Sequence, residues 1–370
     1  MEDKNKRLIA IHLPQFHPFK ENDEWWGKGF TEWTNVSKAR PRYRGHYQPH
    51  IPSDLGFYDL RLEESRIAQA DLARQYGIYG FCYYHYWFNG HQLMQRPLED
   101  ILSTGKPDFP FMLCWANENW SRAWDGGEKD ILIKQDYSLE DDREHMSFLC
   151  DSYFSDPRYI RVDGKPFFVV YVPKLFPNLK ATISVWRDVA KEKGLSLYLG
   201  YMTRDEEDFM DCGFDCAVDF QPHVPDSLHV PIFKQILDFK NSNFLFRIVR
   251  RLFPNKRNPF NKNFIYSDYI KYMHPYKKTN LKLFPGITPS WDNSPRRRDW
   301  FFSLKKSSPS LYGRWLRYIL KNFKPYSAQE NFIFINAWNE WAEGNHLEPD
   351  LKWGRAYLEE TIKSVEDSKS

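Results

Sequence analysis

The stretch Asn331–Gly344, NFIFINAWNEWAEG, sets the apolar run Phe332–Ile335 directly before Asn339, Glu340, Trp341 and Glu343. Such a run suits a strand buried on both faces, as parallel strands are when helices cover the sheet. A polar, aromatic segment directly after it is what a barrel enzyme presents at the C-terminal mouth of a strand. With Asn331–Ala337 as the last strand, seven earlier segments repeat the pattern: Arg7–Leu13, Ile78–Tyr84, Phe109–Trp115, Pro166–Val172, Ser196–Met202, Cys216–Phe220 and Leu283–Thr288. Amphipathic helices are predicted between several of them. Glu63–Tyr76 carries Ile67, Ala70 and Ala73 on one face, Leu139–Tyr153 opens on the cap-like Ser138-x-x-Asp141, and Leu311–Phe323 precedes the last strand. Strand–helix alternation of this kind predicts an α/β fold: one (β/α)8 TIM-type barrel over residues 1–370, with long insertions in the βα loops.

Composition agrees with an ordinary globular chain. Of 370 residues, 42% are hydrophobic and 27% charged, enough apolar surface for a full core and too much for disorder. Aromatics reach 18%, with 14 Trp and 22 Tyr, more than a core of branched aliphatics requires, so many are expected near a cleft. Flat aromatic faces pack on the C–H faces of sugars, and Tyr O–H and Trp N–H add directed hydrogen bonds. Large cores and subunit contacts are the plainer account of part of this surplus. The net charge of +3, from 52 basic and 49 acidic residues, gives no argument for nucleic acid.

Seven of the eight apolar strands end in residue types that bind sugars. The first leads to His12 and Gln15, the second to Tyr84, His85 and Trp87, and the third to Trp115, Asn117, Glu118 and Trp120. The fifth ends at Tyr201, the sixth at Gln221 and His223, and the seventh at Trp291 and Asp292, followed by Arg296 and Arg297. Asn339 and Trp341 flank Glu340 at the eighth. One such residue would be as readily structural, whereas nearly every strand end being polar and aromatic predicts a glycan-binding cleft.

Glu340 and Glu343 stand three residues apart, so a tight turn or first helical turn puts both on one face. Glycosidic bond chemistry needs two such groups, one ionised as base or nucleophile and one protonated to assist the leaving oxygen. A solvated helix start rich in Glu is the structural alternative. A second pairing stays open, with Glu118 as acid/base and Glu340 as nucleophile, and so does a barrel that binds glycan without turnover.

Six motifs then follow one another: HLPQFHP (12–18), WWGKGFTEWTNV (25–36), YGFCYYHYWF (79–88), CWANENWSRAWDG (114–126), PGITPSWDNSPRR (285–297) and NAWNEWAEGNHLEP (336–349). In these the chain resembles, over nearly its whole length, the WbsX family, whose barrel is similar to glycoside hydrolase family 99. That resemblance implies a retaining α-mannosidase-type site with its carboxylates in an E-W-x-E-G turn. Carried over, Glu340 would deprotonate the substrate's own 2-hydroxyl, whose oxygen closes a 1,2-anhydro sugar. Glu343 would protonate the leaving oxygen and then activate the incoming water or sugar hydroxyl. Family 99 commonly has a His between the two carboxylates, where this chain has Ala342. WbsX relatives are associated with bacterial surface-polysaccharide synthesis, O-antigen included, and are labelled glycosyltransferases, which makes an activated-donor transferase the alternative function.

The sequence contains no D-x-D pair and no Gly-rich phosphate loop, so a nucleotide-sugar site has no motif to support it. His46 and His50, or Cys212 and Cys216, are at most fragments of a metal site, and no cofactor or metal is expected. Cys82, Cys114, Cys150, Cys212 and Cys216 read as reduced thiols. An insertion at about 226–280 carries Arg247, Arg250, Arg251, Lys256, Arg257, Lys262, Lys271, Lys277 and Lys278 among aromatic residues. It is expected to lie on an anionic membrane or a lipid-linked glycan, or else to be a solvated insertion. The opening MEDKNKRLIAIHLPQF has no apolar signal core, so a cytoplasmic place, at the inner membrane face, is expected.

Overall fold

The computed structural model describes residues 6–122, 127–204, 207–223, 262–273, 280–297 and 301–369. Its strands are β1 Arg7–His12, β2 Ile78–Phe88, β3 Phe111–Trp115, β4 Lys165–Val170, β5 Tyr198–Thr203, β6 Cys216–Asp219, β7 in two pieces (Leu283–Phe284 and Gly286–Ile287), and β8 Phe332–Ile335. All pair in parallel, in sequence order from β1 to β7, and β1 also pairs with β8. The expected strand count and order stand, and the barrel closes at β7. Its first piece pairs with β6 and its second with β8, and between them lies Pro285, which has no N–H to donate to a ladder. At Gly286 a Cβ would fall 1.8 Å from the carbonyl oxygen of Asp219, so only glycine lets β7 approach β6 this closely.

The helices are α1 Lys20–Trp26, α2 Glu32–Lys38, α3 Glu63–Gln75, α4 Arg96–Thr104, α5 Leu139–Asp151, α6 Leu179–Glu192, α7 Tyr266–Met273, α8 Pro309–Asn322 and α9 Ala356–Asp367. The Ser138 side chain caps α5 by accepting from the Asp141 N–H, as its spacing predicts, and Ser308 caps α8 two residues earlier than the apolar pattern suggests. Much of the aromatic surplus fills the core rather than a cleft. Phe167, Phe284, Phe332 and Phe334 meet inside the barrel, with Phe332 centred 5.5 Å from Phe167 and 5.4 Å from Phe284. Trp186 and Trp338 are fully buried.

Of the basic insertion, the backbone of Lys262–Ile265 pairs in parallel with Phe302–Lys305, and α7 buries Tyr266 and Tyr269 against Trp315. Of the expected membrane-facing cations, all but that of Lys271 lie outside the described side chains. Among the described residues no helix is long and apolar enough to cross a membrane.

Candidate active site

The eighth strand delivers its carboxylates through a hairpin. Asn339–Glu340 pairs antiparallel with Asn345–His346, and the connection is one 3-10 turn, Trp341–Glu343, closed by Gly344 at φ +54. At three residues per turn, positions 340 and 343 lie one above the other, so the spacing read from sequence becomes a shared face. Gly344 supplies the left-handed residue, and a Cβ there would sit 3.1 Å from the Asp292 Cβ.

One guanidinium joins the carboxylates. Arg296 Nη2 donates to Glu340 Oε2 at 2.9 Å and to Glu32 Oε1 at 2.7 Å, while Nη1 reaches Glu343 Oε1 at 2.6 Å. Glu32, the first residue of α2, also accepts from the Ala342 backbone N–H at 2.9 Å, so it holds the turn from a distant part of the chain. The side chains of Glu32, Glu340 and Glu343 are 0%, 7% and 18% exposed, a gradient from buried buttress to cleft surface. Three ionised carboxylates on one cation would leave two uncompensated negative charges in a buried place, so a proton is retained there. Burial raises the Glu340 carboxyl to about 8, with Arg296 opposing and Glu343 and Glu32 adding to the rise. Burial also raises Glu32, against the pull of Arg296 and the Ala342 N–H. Arg296 stays charged, because the three acids outweigh the burial that would lower it.

Above this trio opens a cleft of about 710 Å³, lined by Tyr84, Tyr86, Glu118, Trp120, Tyr171, Arg204, His223, Trp291, Arg296, Arg297, Glu340 and Glu343 among others. Of the candidates named from sequence, Tyr84, Glu118, Trp120, His223, Trp291, Glu340 and Glu343 therefore share one cavity. Glu118 lies exposed on the cleft wall, outside the hydrogen-bonded trio.

The remaining candidates do not line the cleft. His85 faces His145 at 2.9 Å, and Trp87 donates to Asp141 at 2.9 Å while stacking on His145, so both pack under α5. Trp115 is buried against Trp186 and Phe176, and the Asn117 side chain exchanges hydrogen bonds with the Val172 backbone. Tyr201 bonds the Glu207 carbonyl, and Gln221 is held by Asp219 and Tyr269. His12 lies beneath the hairpin against Gln69 and Asn339, with burial lowering its imidazole to about 3, and Gln15 is fully buried. Asn339 clamps the backbone of Leu13, and Trp341 donates to Glu348 at 2.6 Å and stacks on His346. Asp292 accepts from His46 at 2.5 Å and Gln48 at 2.7 Å. These residues build the frame of the cleft. Sequence reading passed over Glu32, Tyr86, Tyr171 and Arg204. Glu32 and Tyr86 lie inside quoted motifs, but no spacing rule singles them out.

The fold and site define an α/β barrel with paired carboxylates at its C-terminal mouth. The model of the family described as Glycosyltransferase WbsX matches residues 8–361, and the chain belongs to that family. Two proteins named WxcX, from two strains of Xanthomonas campestris pv. campestris, are 40% identical over 363 residues, 97% of this chain and 49% of theirs. The chain thus spans about half the length of the curated relatives it matches. Among solved structures, the family 99 endo-α-mannosidase of Bacteroides thetaiotaomicron is similar with a TM-score of 0.59 at 13% identity, covering 100% of this chain and 98% of that one. The same enzyme with bis-tris-propane gives 0.58 at 12%, over the same shares. A glycoside hydrolase-like protein gives 0.58 at 13%, covering 99% and 95%. At such identities the likeness establishes the fold, a TIM-type barrel of the family 99 kind.

Proposed function

We propose that this protein cleaves or transfers α-linked, mannose-type residues of a bacterial surface polysaccharide by a retaining mechanism that uses Glu340 and Glu343. The observation that carries the reading is the Arg296-bridged carboxylate pair on the wall of a cleft rich in Tyr and Trp. Glu340 takes the proton of the sugar's 2-hydroxyl as that oxygen bonds to the anomeric carbon, and Glu343 gives its proton to the departing glycosidic oxygen. Glu343, now ionised, deprotonates water or an acceptor hydroxyl, which opens the anhydro ring from the face the leaving group left. Glu340 returns its proton to the 2-oxygen. Two inversions give net retention, and every proton is restored. The pairing of Glu118 with Glu340 is less favoured, because Glu118 lies outside the trio that fixes the other two carboxylates.

The family description favours a second reading, a transferase with an activated donor, for which Arg204 and Arg297 on the cleft wall would meet a phosphate. The deciding experiment incubates the protein with mannose-containing and bacterial surface glycans, without nucleotide sugar, and follows products by mass spectrometry with Glu343→Gln as control. Shortened or rearranged glycans from the parent protein alone support the glycosidase or transglycosidase. Turnover that begins only on adding a nucleotide-sugar or lipid-linked donor replaces it with the transferase.

A further inference from the structure

Beside the Asn339–His346 hairpin, in a cavity separate from the cleft, His50, His346 and Asp350 converge, each buried, with one ligand-type atom from each within 4.8 Å of the others. No two of these residues are closer than four positions in sequence, and His50 is almost three hundred residues from the others, so no spacing motif announces them. His346 Nδ1 lies 2.8 Å from the Glu348 carbonyl, which fixes its proton on that nitrogen and turns the bare Nε2 toward the cluster. That Nε2 is 2.8 Å from His50 Nδ1 and 3.9 Å from Asp350 Oδ2. Asp350 uses its Oδ1 to accept the backbone N–H groups of Lys352 and Trp353, which leaves Oδ2 directed at the imidazoles. Aromatic rings hold both histidines: Trp341 stacks on His346 at 3.8 Å and Tyr47 on His50 at 4.2 Å.

We infer that His50, His346 and Asp350 form a binding site for a divalent transition metal, zinc being the natural fit, which fixes the hairpin. Two imidazole nitrogens and one carboxylate oxygen are a recurrent three-ligand set for zinc, with the fourth position left to water. Loading puts the ion where one proton is shared between His50 Nδ1 and His346 Nε2, and that proton moves to His50 Nε2, so both imidazoles bind neutral. The two nitrogens then part from 2.8 Å to about 3.3 Å, as tetrahedral bonds of about 2.0–2.1 Å require. The open position and the entry route are at hand, because all three side chains face a second cavity of about 660 Å³. Lys305, Lys306 and Lys352 on the same wall oppose a cation's approach, so loading is measured at equilibrium. The consequence for the hairpin is direct, since His346 pairs with Asn339, next to Glu340. The ion would tie that strand to the loop of His50, whatever reaction the carboxylates perform.

The test strips the full chain with a chelator, dialyses it against zinc or cobalt(II) chloride, and counts retained metal by plasma mass spectrometry beside His50→Ala, His346→Ala and Asp350→Asn. A single equivalent in the parent, held about tenfold or more weaker in each variant, with a metal-dependent rise in melting temperature seen in the parent only, is expected. Cobalt in the parent should show visible bands of a four-coordinate nitrogen and oxygen site without a thiolate charge-transfer band, a readout that does not depend on any variant folding. Failure to retain metal, equal retention by all variants, or a thiolate band that moves the ion to the cysteines would each overturn the site. None of these outcomes bears on the glycan assay.

Discussion

At the scale of single residues, the trio on Arg296 decides how the site titrates. If Glu340 is the base, it works ionised, and its carboxyl is raised to about 8 by burial and by its acidic neighbours. The kcat/KM of the free enzyme should therefore climb with pH through a midpoint near 8 and level off above it, and a pH profile on any turned-over glycan checks this. A limb falling through the same range would exchange the roles of Glu340 and Glu343. Glu32→Gln removes one neighbouring negative charge while an amide oxygen can still accept the Ala342 N–H, so the rising limb should move to lower pH. A limb that stays put would separate Glu32 from the titration. Glu340→Gln or Glu343→Gln should lower kcat by about 10²–10⁴-fold with glycan binding retained, measured by turnover and calorimetry, and near-normal rates would remove them from the chemistry. The two carboxylates were legible because a short motif fixes both their spacing and their place after a strand. Along β2 the other candidates divided by parity. In β2, Tyr84 and Tyr86 face the cleft while His85 and Trp87 face α5, since successive strand residues alternate sides. Reading strand ends as clusters, without that period of two, marked both faces.

At the scale of elements, the hairpin Asn339–His346 is held from several directions: by Glu32 of α2, by the Asp292 N–H donating to the Glu343 carbonyl at 2.6 Å, and by Ser290 donating to the Gly344 carbonyl. None of these bonds is written in local sequence, because each partner arrives from another loop. The barrel strands themselves were legible, since burial on both faces makes them apolar throughout, and only β7 departed, broken where Pro285 interrupts its ladder. The turn gives a prediction at this scale. Gly344→Ala forces a side chain into φ +54 and toward Asp292, which should cost about 1–2 kcal/mol in denaturant unfolding. Turnover should fall by more than that loss of stability accounts for, because Glu343 immediately precedes the strained residue and moves with it. A variant as active as the parent would show that the turn tolerates displacement and that the carboxylate geometry is set elsewhere.

For the whole molecule, buried ionisable groups of two kinds set opposing limits on stability. Burial lowers His12 and His85 to about 3 and His17 to about 4, and lowers His145 as well, so the fold holds these imidazoles neutral. Their stabilisation is complete above the unfolded value of about 6.5 and is lost as pH falls toward the folded values. Glu340 works the other way: its raised carboxyl favours the fold while protonated, and that contribution drains as pH rises from the ordinary carboxylate range to about 8. Glu32, also raised, adds in the same direction. Glu348, raised by burial to about 7, and Asp142, raised to about 6, do so too, so below about pH 6.5 the two kinds oppose one another and above it only the carboxyls still act. The melting temperature should therefore decline from about pH 6.5 toward pH 8, as scanning calorimetry across that range would record. Glu340→Gln should flatten this alkaline decline, because the amide has no proton to lose. An alkaline limb of undiminished slope in that variant would mean that Glu340 is ionised in the folded protein well below pH 8, and the proton at the carboxylate trio would then have to reside on Glu32.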